Sequence, residues 1–205
     1  MSTLETAAGT DRATRPTRQD ACRRFARSAI EVVRLLARHQ LAWPRVNLGS
    51  VLRFEDGTAS RVFRETVLEA PTREPALLVV GFRLRLLGRA RLAHRVFRAE
   101  SIANTPLFAG FPGFRSKLWL CDDVTGSYRG IYEWDGADRA TAYAETLCML
   151  LRRVSDPGTV KYRVVEGTRR DDYLAHPDSV AGTLAPGPAD AWWRLGAPGL
   201  PRITT

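Results

Sequence analysis

Tyrosine and tryptophan side chains recur in the predicted strands of the second half of the chain, where they could line a small-molecule site. Tyr132 and Trp134 stand two positions apart in a predicted strand, Ser127 to Trp134, and Tyr162 stands in another, Val160 to Val165. Alternate residues of a strand point to the same face, so Tyr132 and Trp134 share one. Each carries a polar atom that needs a partner when it is buried. The pattern predicts either a packed core beneath two helices or a pocket in which these groups meet a ligand.

The register of the central hairpin decides which other side chains join that face. A five-residue turn, Asp122 to Gly126, predicts that Cys121 pairs with Ser127. One face then holds aromatic and apolar side chains, among them Leu118, Leu120, Tyr128, Tyr132, Trp134 and Tyr162. The opposite face holds mainly basic side chains and one tryptophan, namely Arg115, Lys117, Trp119, Arg129, Lys161 and Arg163. That second face is either a solvated surface or dimer interface, or a site where arginine forks grip a carboxylate or phosphate.

His94, in the first helix predicted for this region, is a candidate general base, although a structural histidine is the more common case. The other two histidines and the three cysteines do not stand at the spacing of a metal site or of a disulfide framework. Phosphate-loop, nucleophile-elbow and zinc-helix motifs are absent from the sequence. We therefore expect neither a metal nor a cofactor.

Charge and hydropathy narrow the range of partners. The 205 residues carry a net charge of +9, but only Lys117 and Lys161 are lysines, and the arginines are spread along the chain. This distribution favours a solvated basic surface over a nucleic-acid-binding arm. No apolar run approaches the roughly 18 residues that span a bilayer, and residues 1–16 lack the apolar core of a secretory signal. We expect a cytoplasmic protein without nucleic-acid or membrane partners.

Four segments are predicted along the chain. They are a disordered leader at 1–19, an N-terminal helix and hairpin extension at 20–75, a main domain at 76–166 and a Pro- and Gly-rich tail at 167–205. The helix begins at Asp20 and ends before Pro44, because the residue before a proline is disfavoured in a helix. The hairpin, marked by Asp56-Gly57, is expected to add strands to the main sheet. The Trp192-Trp193 pair is expected to dock on the body or on a partner subunit.

The main domain has the clearest pattern of elements. Its predicted elements are a strand from Ala76 to Leu86, a helix ending near Asn104, strands Phe114 to Cys121 and Ser127 to Trp134, a helix capped by Asp135 or Asp138, and a strand Val160 to Val165. This order predicts an α+β fold of the ferredoxin-like kind, βαββαβ, with a four-stranded antiparallel sheet.

Two stretches of the main domain carry a resemblance to a known group of proteins. They are Gly110-Phe111-Pro112-Gly113-Phe114-Arg115-Ser116-Lys117-Leu118-Trp119-Leu120 and Gly126-Ser127-Tyr128-Arg129-Gly130-Ile131-Tyr132-Glu133-Trp134. They resemble the dimeric α/β-barrel superfamily, which includes the antibiotic-biosynthesis monooxygenases and the YdhR-like proteins. There, a Pro-Gly-aromatic loop enters a strand ending in Trp-Leu, a turn carries Gly, and a strand reading Gly-x-Tyr/Phe-x-Trp/Phe leads to the second helix. The resemblance covers about residues 76 to 166.

The resemblance implies a homodimer whose two sheets face each other, and a ligand pocket between sheet and helices in each protomer. Some members oxidise electron-rich polyketide aromatics with dioxygen and no added cofactor, others cleave haem, and others cyclise or rearrange a substrate. By location, Asn104, Trp119, Tyr132 and Trp134 match the polar and aromatic pocket residues of the oxidative members. No haem-ligating histidine pattern is evident.

The expected function is a tailoring enzyme of secondary metabolism with a polyketide-like substrate in an apolar pocket. It acts by cofactor-independent monooxygenation or by non-oxidative cyclisation or isomerisation. The candidate catalytic residues are Tyr132, Trp134, Asn104 and His94, and the candidate substrate-binding residues are Trp119, Arg115, Tyr128, Tyr162 and Phe111. The alternative is a non-catalytic dimer that binds a small molecule or another protein.

Overall fold

The computed structural model of the chain describes residues 18–85, 105, 108–122, 125–177 and 190–196. In chain order the elements are α1 (Arg18–Ala37), β1 (Leu41–Ala42), β2 (Val51–Arg53), β3 (Ala59–Leu68), β4 (Pro75–Arg83), β5 (Phe114–Cys121), β6 (Ser127–Asp135), α2 (Ala137–Val154), β7 (Lys161–Glu166) and α3 (Arg170–Ala175). The helix predicted to end near Asn104, and with it His94, lies outside the described residues.

One antiparallel sheet joins all the strands. Its order is β1-β3-β5-β6-β4-β7, and β2 pairs with the same strand, β3, as β1 does. The four strands of the main domain lie in the order β5-β6-β4-β7, which agrees with the predicted α+β, ferredoxin-like arrangement. The predicted count of four strands is wrong, because the sheet has seven. Strand β3 pairs with β5 and so satisfies the backbone groups that β5 would otherwise expose as an edge strand.

The register of the β5–β6 hairpin differs by one residue from the predicted one. Cys121 pairs with Tyr128, not with Ser127. The backbone amide of Asp122 donates to the Ser127 carbonyl at 2.8 Å, and the Asp122 side chain accepts from the Thr125 amide at 3.1 Å. This side-chain-stabilised loop holds one residue more than the turn predicted from the sequence. Because a shift of one residue turns every side chain of a strand to the opposite face, the predicted face assignment is wrong for β5, whereas that of β6 agrees with the structure.

The corrected register places Lys117, Trp119 and Cys121 on the same face as Tyr128 and Tyr132. We call it the first face, and it is covered by α1 and α2. Leu118 and Leu120, predicted for this face, lie on the second face instead. At the start of β5, the pairing shifts between Phe114 and Ser116, so Arg115 occupies a bulge.

Helix α1 buries a different stripe from the one its sequence predicts. The sequence predicts an apolar stripe at three- and four-residue spacing, formed by Phe25, Ala29, Val32, Val33, Leu36 and Leu41. In the structure Ser28, Val32 and Leu35 are buried, whereas Val33 and Leu36 are exposed. The helix ends at Ala37, and the following residues turn into β1, which pairs with the end of β3. Pairing with the sheet therefore ends the helix before the proline at 44 can do so.

The sequence predicts one apolar stripe on α2, formed by Ala140, Tyr143, Ala144, Leu147, Leu150, Leu151 and Val154. Five of these residues are buried, whereas Leu150 and Val154 are exposed. The predicted cap is wrong, because the N-cap residue is Gly136 and no side chain caps the helix.

The Asp135 carboxylate, one of the two predicted caps, serves the turn before β4 instead. It accepts from the backbone amides of Arg73 and Glu74 at 2.7 and 2.9 Å.

The second face is covered by the chain's own C-terminal segments. Tyr173 of α3, Trp192, Trp193 and Leu195 pack on this face. Trp193 is fully buried, in keeping with the expectation that the tryptophan pair docks. The Tyr173 hydroxyl donates to the Trp193 carbonyl, which fastens the tail to α3. The strand residues beneath these segments are Leu77, Val79, Leu118, Leu120 and Ile131.

Candidate functional site

The first face carries a layer of interlocking aromatic rings beneath the helices. Phe108, in the loop before β5, lies with its ring centroid 5.5 Å from that of Trp119 and 6.5 Å from that of Tyr132. Trp134 lies 4.7 Å from Tyr143 of α2, which in turn lies 5.7 Å from Tyr132. Edge-to-face and tilted ring pairs of this kind add stability beyond the area that they bury. The strands and α2 therefore hold Trp119, Tyr132 and Trp134 rigidly in one layer.

Lys117 lies within this aromatic layer and is only 4% exposed. Its Nζ is 3.0 Å from the centroid of the Trp119 ring, 4.4 Å from that of Phe108 and 4.7 Å from that of Tyr132. Across the sheet it pairs with Tyr132 on one side and with Thr66 on the other. Within the described ranges, no carboxylate forms an ion pair with it. We call Lys117 and the rings of Phe108, Trp119 and Tyr132 the lysine cage.

Burial sets the charge state of the caged amine. Loss of solvation, followed by repulsion from the nearby Arg64 guanidinium, holds the pKa of Lys117 well below its usual range. Contact between an ammonium and aromatic faces is worth about 2 kcal/mol when desolvated, whereas desolvating an unpaired ammonium costs several kcal/mol. The desolvation cost is larger, which is why the pKa of the amine falls and its neutral, basic form becomes easier to reach.

Other polar groups beside the cage lack hydrogen-bond partners in the part of the chain that the structure describes. They are the Thr66 hydroxyl and the indole N–H groups of Trp119 and Trp134. An orphaned buried polar group costs about 1–3 kcal/mol, and such groups are rare in native structures. Thr66 pairs with Lys117 across the sheet and Trp119 packs on its amine, so this region is a candidate for binding a polar group of a ligand.

One basic and two phenolic side chains complete the electrostatics of the site. Arg64, which faces Trp119 on the adjacent strand, donates to the Thr105 hydroxyl at 3.1 Å and remains protonated despite its burial. Burial also raises the pKa of both Tyr132 and Tyr143, so these phenols stay protonated at neutral pH and act as donors rather than bases. The site thus joins an amine of lowered pKa to phenolic donors and a fixed positive charge.

The predicted aromatic candidates divide into two groups. Tyr132, Trp134 and Trp119 come together on the first face, although the sequence register had placed Trp119 on the opposite face. Tyr128 shares that face but stacks on Phe82, 5.7 Å away, near the other end of β6. Tyr162 packs at the edge of the same core on β7. The predicted catalytic residues Asn104 and His94 lie outside the described residues.

A cleft of about 810 Å³ opens next to the aromatic layer, between α1, the loop before β5 and the start of α2. Phe111 and Arg115, two predicted substrate-binding residues, line it. Phe114 also lines it, and its ring lies 5.1 Å from that of Phe108. The lysine cage therefore begins one ring behind the wall of the cleft.

Arg115, predicted to steady negative charge, is already engaged. It donates to Asp135 at 3.0 Å and to the carbonyls of Pro71 and Phe114, each at 2.9 Å. The backbone amides of Glu74 and Arg73 hold the pKa of Asp135 below its usual range, so the pair stays ionised. These contacts hold the guanidinium of Arg115 in a fixed position at the wall of the cleft.

Lys117 is the residue that the sequence analysis failed to select. The predicted register placed it among arginines on the second face, where a lysine is expected to be solvated. Strand β5 lies between β3 and β6 and is buried along nearly its whole length, so its single lysine has to enter the interior. The sequence did hold one signal, because only two of its 31 basic residues are lysines.

The described residues contain no group of three or more His, Cys, Asp or Glu side chains that could hold a metal ion. In the same part of the chain, no helix combines the length and the apolar character needed to cross a membrane.

Comparison with known proteins gives fold relatives only. No family model and no curated protein matches the chain. A ferredoxin-fold protein of Listeria monocytogenes related to antibiotic biosynthesis monooxygenases is similar at 14% identity and a TM-score of 0.38, over 55% of this chain and 66% of that one. An anthrone oxidase-like protein is similar at 12% identity and a TM-score of 0.34, over 55% and 58%. A monooxygenase-like protein of Listeria innocua is similar at 13% identity and a TM-score of 0.35, over 65% and 85%.

These structures bear the names of the group that the sequence resembles, and the predicted resemblance is confirmed to that extent. The chain spans under two thirds of the length of the first two.

Proposed function

We propose that this protein is an enzyme that removes a proton from a small, mostly apolar, enolisable molecule of polyketide-like chemistry, with Lys117 as the base. The observation that carries the proposal is the lysine cage, in which a buried amine has no carboxylate partner among the described residues and has orphaned donors beside it. A base with a pKa lowered toward neutrality is best placed for proton transfer at physiological pH.

The substrate would reach the lysine cage from the cleft by displacing the Phe114 ring that separates the two. The proton then moves from a carbon next to a carbonyl, or from a phenol, to Nζ of Lys117. The substrate becomes an enolate or phenolate and the amine becomes an ammonium. The rings of Phe108, Trp119 and Tyr132 then stabilise the new cation. The anion gains from the Arg64 charge and from the free indole N–H of Trp119, because donors that are already oriented stabilise charge as it develops.

Proton removal is the step shared by the two reactions expected from the sequence. An enolate can attack a second carbonyl of the same molecule, which gives cyclisation, or pass electrons to dioxygen, which gives cofactor-independent monooxygenation. The rigid aromatic layer favours flat, conjugated substrates for both reactions. In both reactions the role of Lys117 is to accept one proton from the substrate.

The homodimer that the resemblance implies stays a prediction, and sedimentation equilibrium can test it. The sheet face that such a dimer would bury is covered here by Trp192, Trp193 and Tyr173 of the same chain. The surface of α1 is the better candidate for contact with a second copy, because Ile30, Val33 and Leu36 expose apolar side chains there.

A non-catalytic binding protein is the second candidate, and the 3.0 Å contact between Lys117 and the Trp119 ring favours it. A lysine packed this closely could serve only to fill space in the core, with its amine in contact with the face of the ring. In that case the amine would have no role in turnover.

Hydrogen–deuterium exchange distinguishes the two candidates. The probe is 2-tetralone, a bicyclic enolisable ketone, and the loss of its α-proton signal in D₂O is followed by NMR. We expect exchange to be accelerated by the protein and slowed about a hundredfold or more by Lys117→Met, since general bases contribute about 10²–10⁴-fold. The other lysine supplies the matched control, and Lys161→Met should exchange like the unmodified protein. Equal rates for Lys117→Met and the unmodified protein would contradict the proposal. Oxygen uptake measured with the same probe then separates oxidative from non-oxidative chemistry.

A further inference from the structure

The cleft beside α1 has an apolar floor and a basic rim. Leu35, Leu68, Phe111, Phe114 and Tyr143 supply apolar surface inside it. Five arginines line it, namely Arg24, Arg27, Arg34, Arg115 and Arg139, against the single carboxylate of Glu31. The combination suits a molecule that has an apolar body and a negatively charged end.

The arginines differ in how far their charge is already neutralised. Arg115 and Arg139 share Asp135, at 3.0 and 3.5 Å, and Arg34 pairs with Glu31 at 3.3 Å. Arg24 donates only to the neutral Thr146 hydroxyl, at 3.2 Å. Arg27 makes no ion pair or side-chain hydrogen bond within the described ranges. Arg24 and Arg27 therefore bring two uncompensated guanidinium groups to the α1 wall of the cleft.

A buried hydroxyl lies beside these two arginines. Ser28 lines the cleft, is 1% exposed, and its Oγ has no hydrogen-bond partner within the described part of the chain. A hydroxyl left unpaired in the interior is costly unless a ligand or water completes it. Among the described residues that line the cleft, Ser28 is the one with a buried polar side-chain atom that lacks a partner, and it adjoins Arg27 in sequence.

We infer that this cleft binds a small amphipathic anion, with its carboxylate, sulfonate or phosphate group held by Arg24, Arg27 and the Ser28 hydroxyl. The apolar body then lies over Leu35, Phe111 and Phe114. A concave site of this volume fits a free small molecule better than the surface of a membrane. Its wall on α1 comes from the N-terminal extension, outside the region that carries the family resemblance. The inference does not rest on the proposed function, since none of these residues belongs to the lysine cage.

Two fluorescent probes that share an aromatic body test the inference. 8-Anilinonaphthalene-1-sulfonate carries an anionic group, and N-phenyl-1-naphthylamine is its neutral counterpart. We expect the sulfonate to bind more tightly than the neutral probe, and its affinity to fall with added salt because the arginines are exposed to solvent. Decanoate below its micellar concentration should displace it. Equal affinity for the two probes, or displacement only by anionic phospholipid vesicles, would overturn the inference.

Variants then locate the binding site. Arg27→Gln and Ser28→Ala should each weaken sulfonate binding about three- to tenfold and leave the neutral probe unaffected. Arg45→Gln, which removes an exposed arginine outside the cleft, is the matched charge control and should leave both affinities unchanged. If Arg27→Gln and Arg45→Gln behave alike, the cleft is not the anion site. Lys117→Met should keep the sulfonate affinity, so that failure of the proposed function does not bear on this result.

Discussion

At the scale of single residues, the buried amine of Lys117 lowers the stability of the fold while it serves the proposed chemistry. Its cross-strand partners are Thr66 and Tyr132, so an apolar residue would suit the position better than an amine. A buried polar group that weakens the fold is the expected trade when activity needs a poised base. The sequence could predict that Tyr132 and Trp134 share a face, because they lie two apart on one strand. It could not predict that Lys117 joins them, because that depends on a one-residue difference in the hairpin loop.

Lys117→Met is expected to raise the free energy of unfolding at pH 7, on the order of 1–3 kcal/mol. The folded chain holds a lysine whose pKa is depressed, while the unfolded chain holds an ordinary one. Between the two pKa values the unfolded state binds the extra proton, so the stability of the unmodified protein rises with pH through that window and is lowest below it.

Urea unfolding at several pH values up to about 10 measures this effect. The unmodified protein should become more stable relative to Lys117→Met as the pH rises toward the ordinary lysine pKa, about 10.4. A stability difference between the two proteins that does not change with pH would count against a depressed pKa at this position.

At the scale of elements, the contact between α1 and the loop before β5 is the joint that forms the cleft. A Cβ added at Gly110 would lie 2.0 Å from the Ser28 carbonyl oxygen, which is far inside van der Waals contact. Only glycine lets the loop and the helix approach this closely. The sequence pattern predicted that α1 exists. It did not predict which stripe of the helix is buried, because the contact with the loop before β5 decides that.

Gly110→Ala should force α1 away from the loop and lower the free energy of unfolding by about 1–3 kcal/mol or more. It should also weaken binding of the sulfonate probe, since the cleft lies between the two elements that separate. Thermal and urea unfolding give the first effect, and fluorescence titration gives the second. Gly196→Ala is the matched control, because its added Cβ comes no nearer than 4.0 Å to the Arg53 carbonyl oxygen. Similar losses in both variants would show that the α1 contact has no special role.

At the scale of the whole molecule, the N-terminal and C-terminal segments change what the main domain can do. The hairpin extends the sheet past β5, and the tail covers the second face. Arg129 ties the two together, since its guanidinium donates to Ser60 at 2.8 Å, to Asp56 at 3.0 Å and to the Trp192 carbonyl at 3.1 Å. Arg129, which was predicted to lie on a solvated or ligand-binding face, is thus buried and holds the hairpin and the tail together. The ferredoxin-like pattern was predictable because its periodicity is local, whereas these long-range contacts leave no periodic trace in the sequence.

The central claim is that burial within its ring of aromatic side chains holds the pKa of the Lys117 amine well below its ordinary value. NMR titration of the Cε signals in protein labelled at lysine tests it directly, because the chain has only two lysines and Lys161→Met assigns them. The account predicts that Lys117 titrates well below the ordinary lysine pKa of about 10.4 and below Lys161. A Lys117 signal that titrates at or above that ordinary value would show a permanently charged amine, and the proposed base would have to be abandoned.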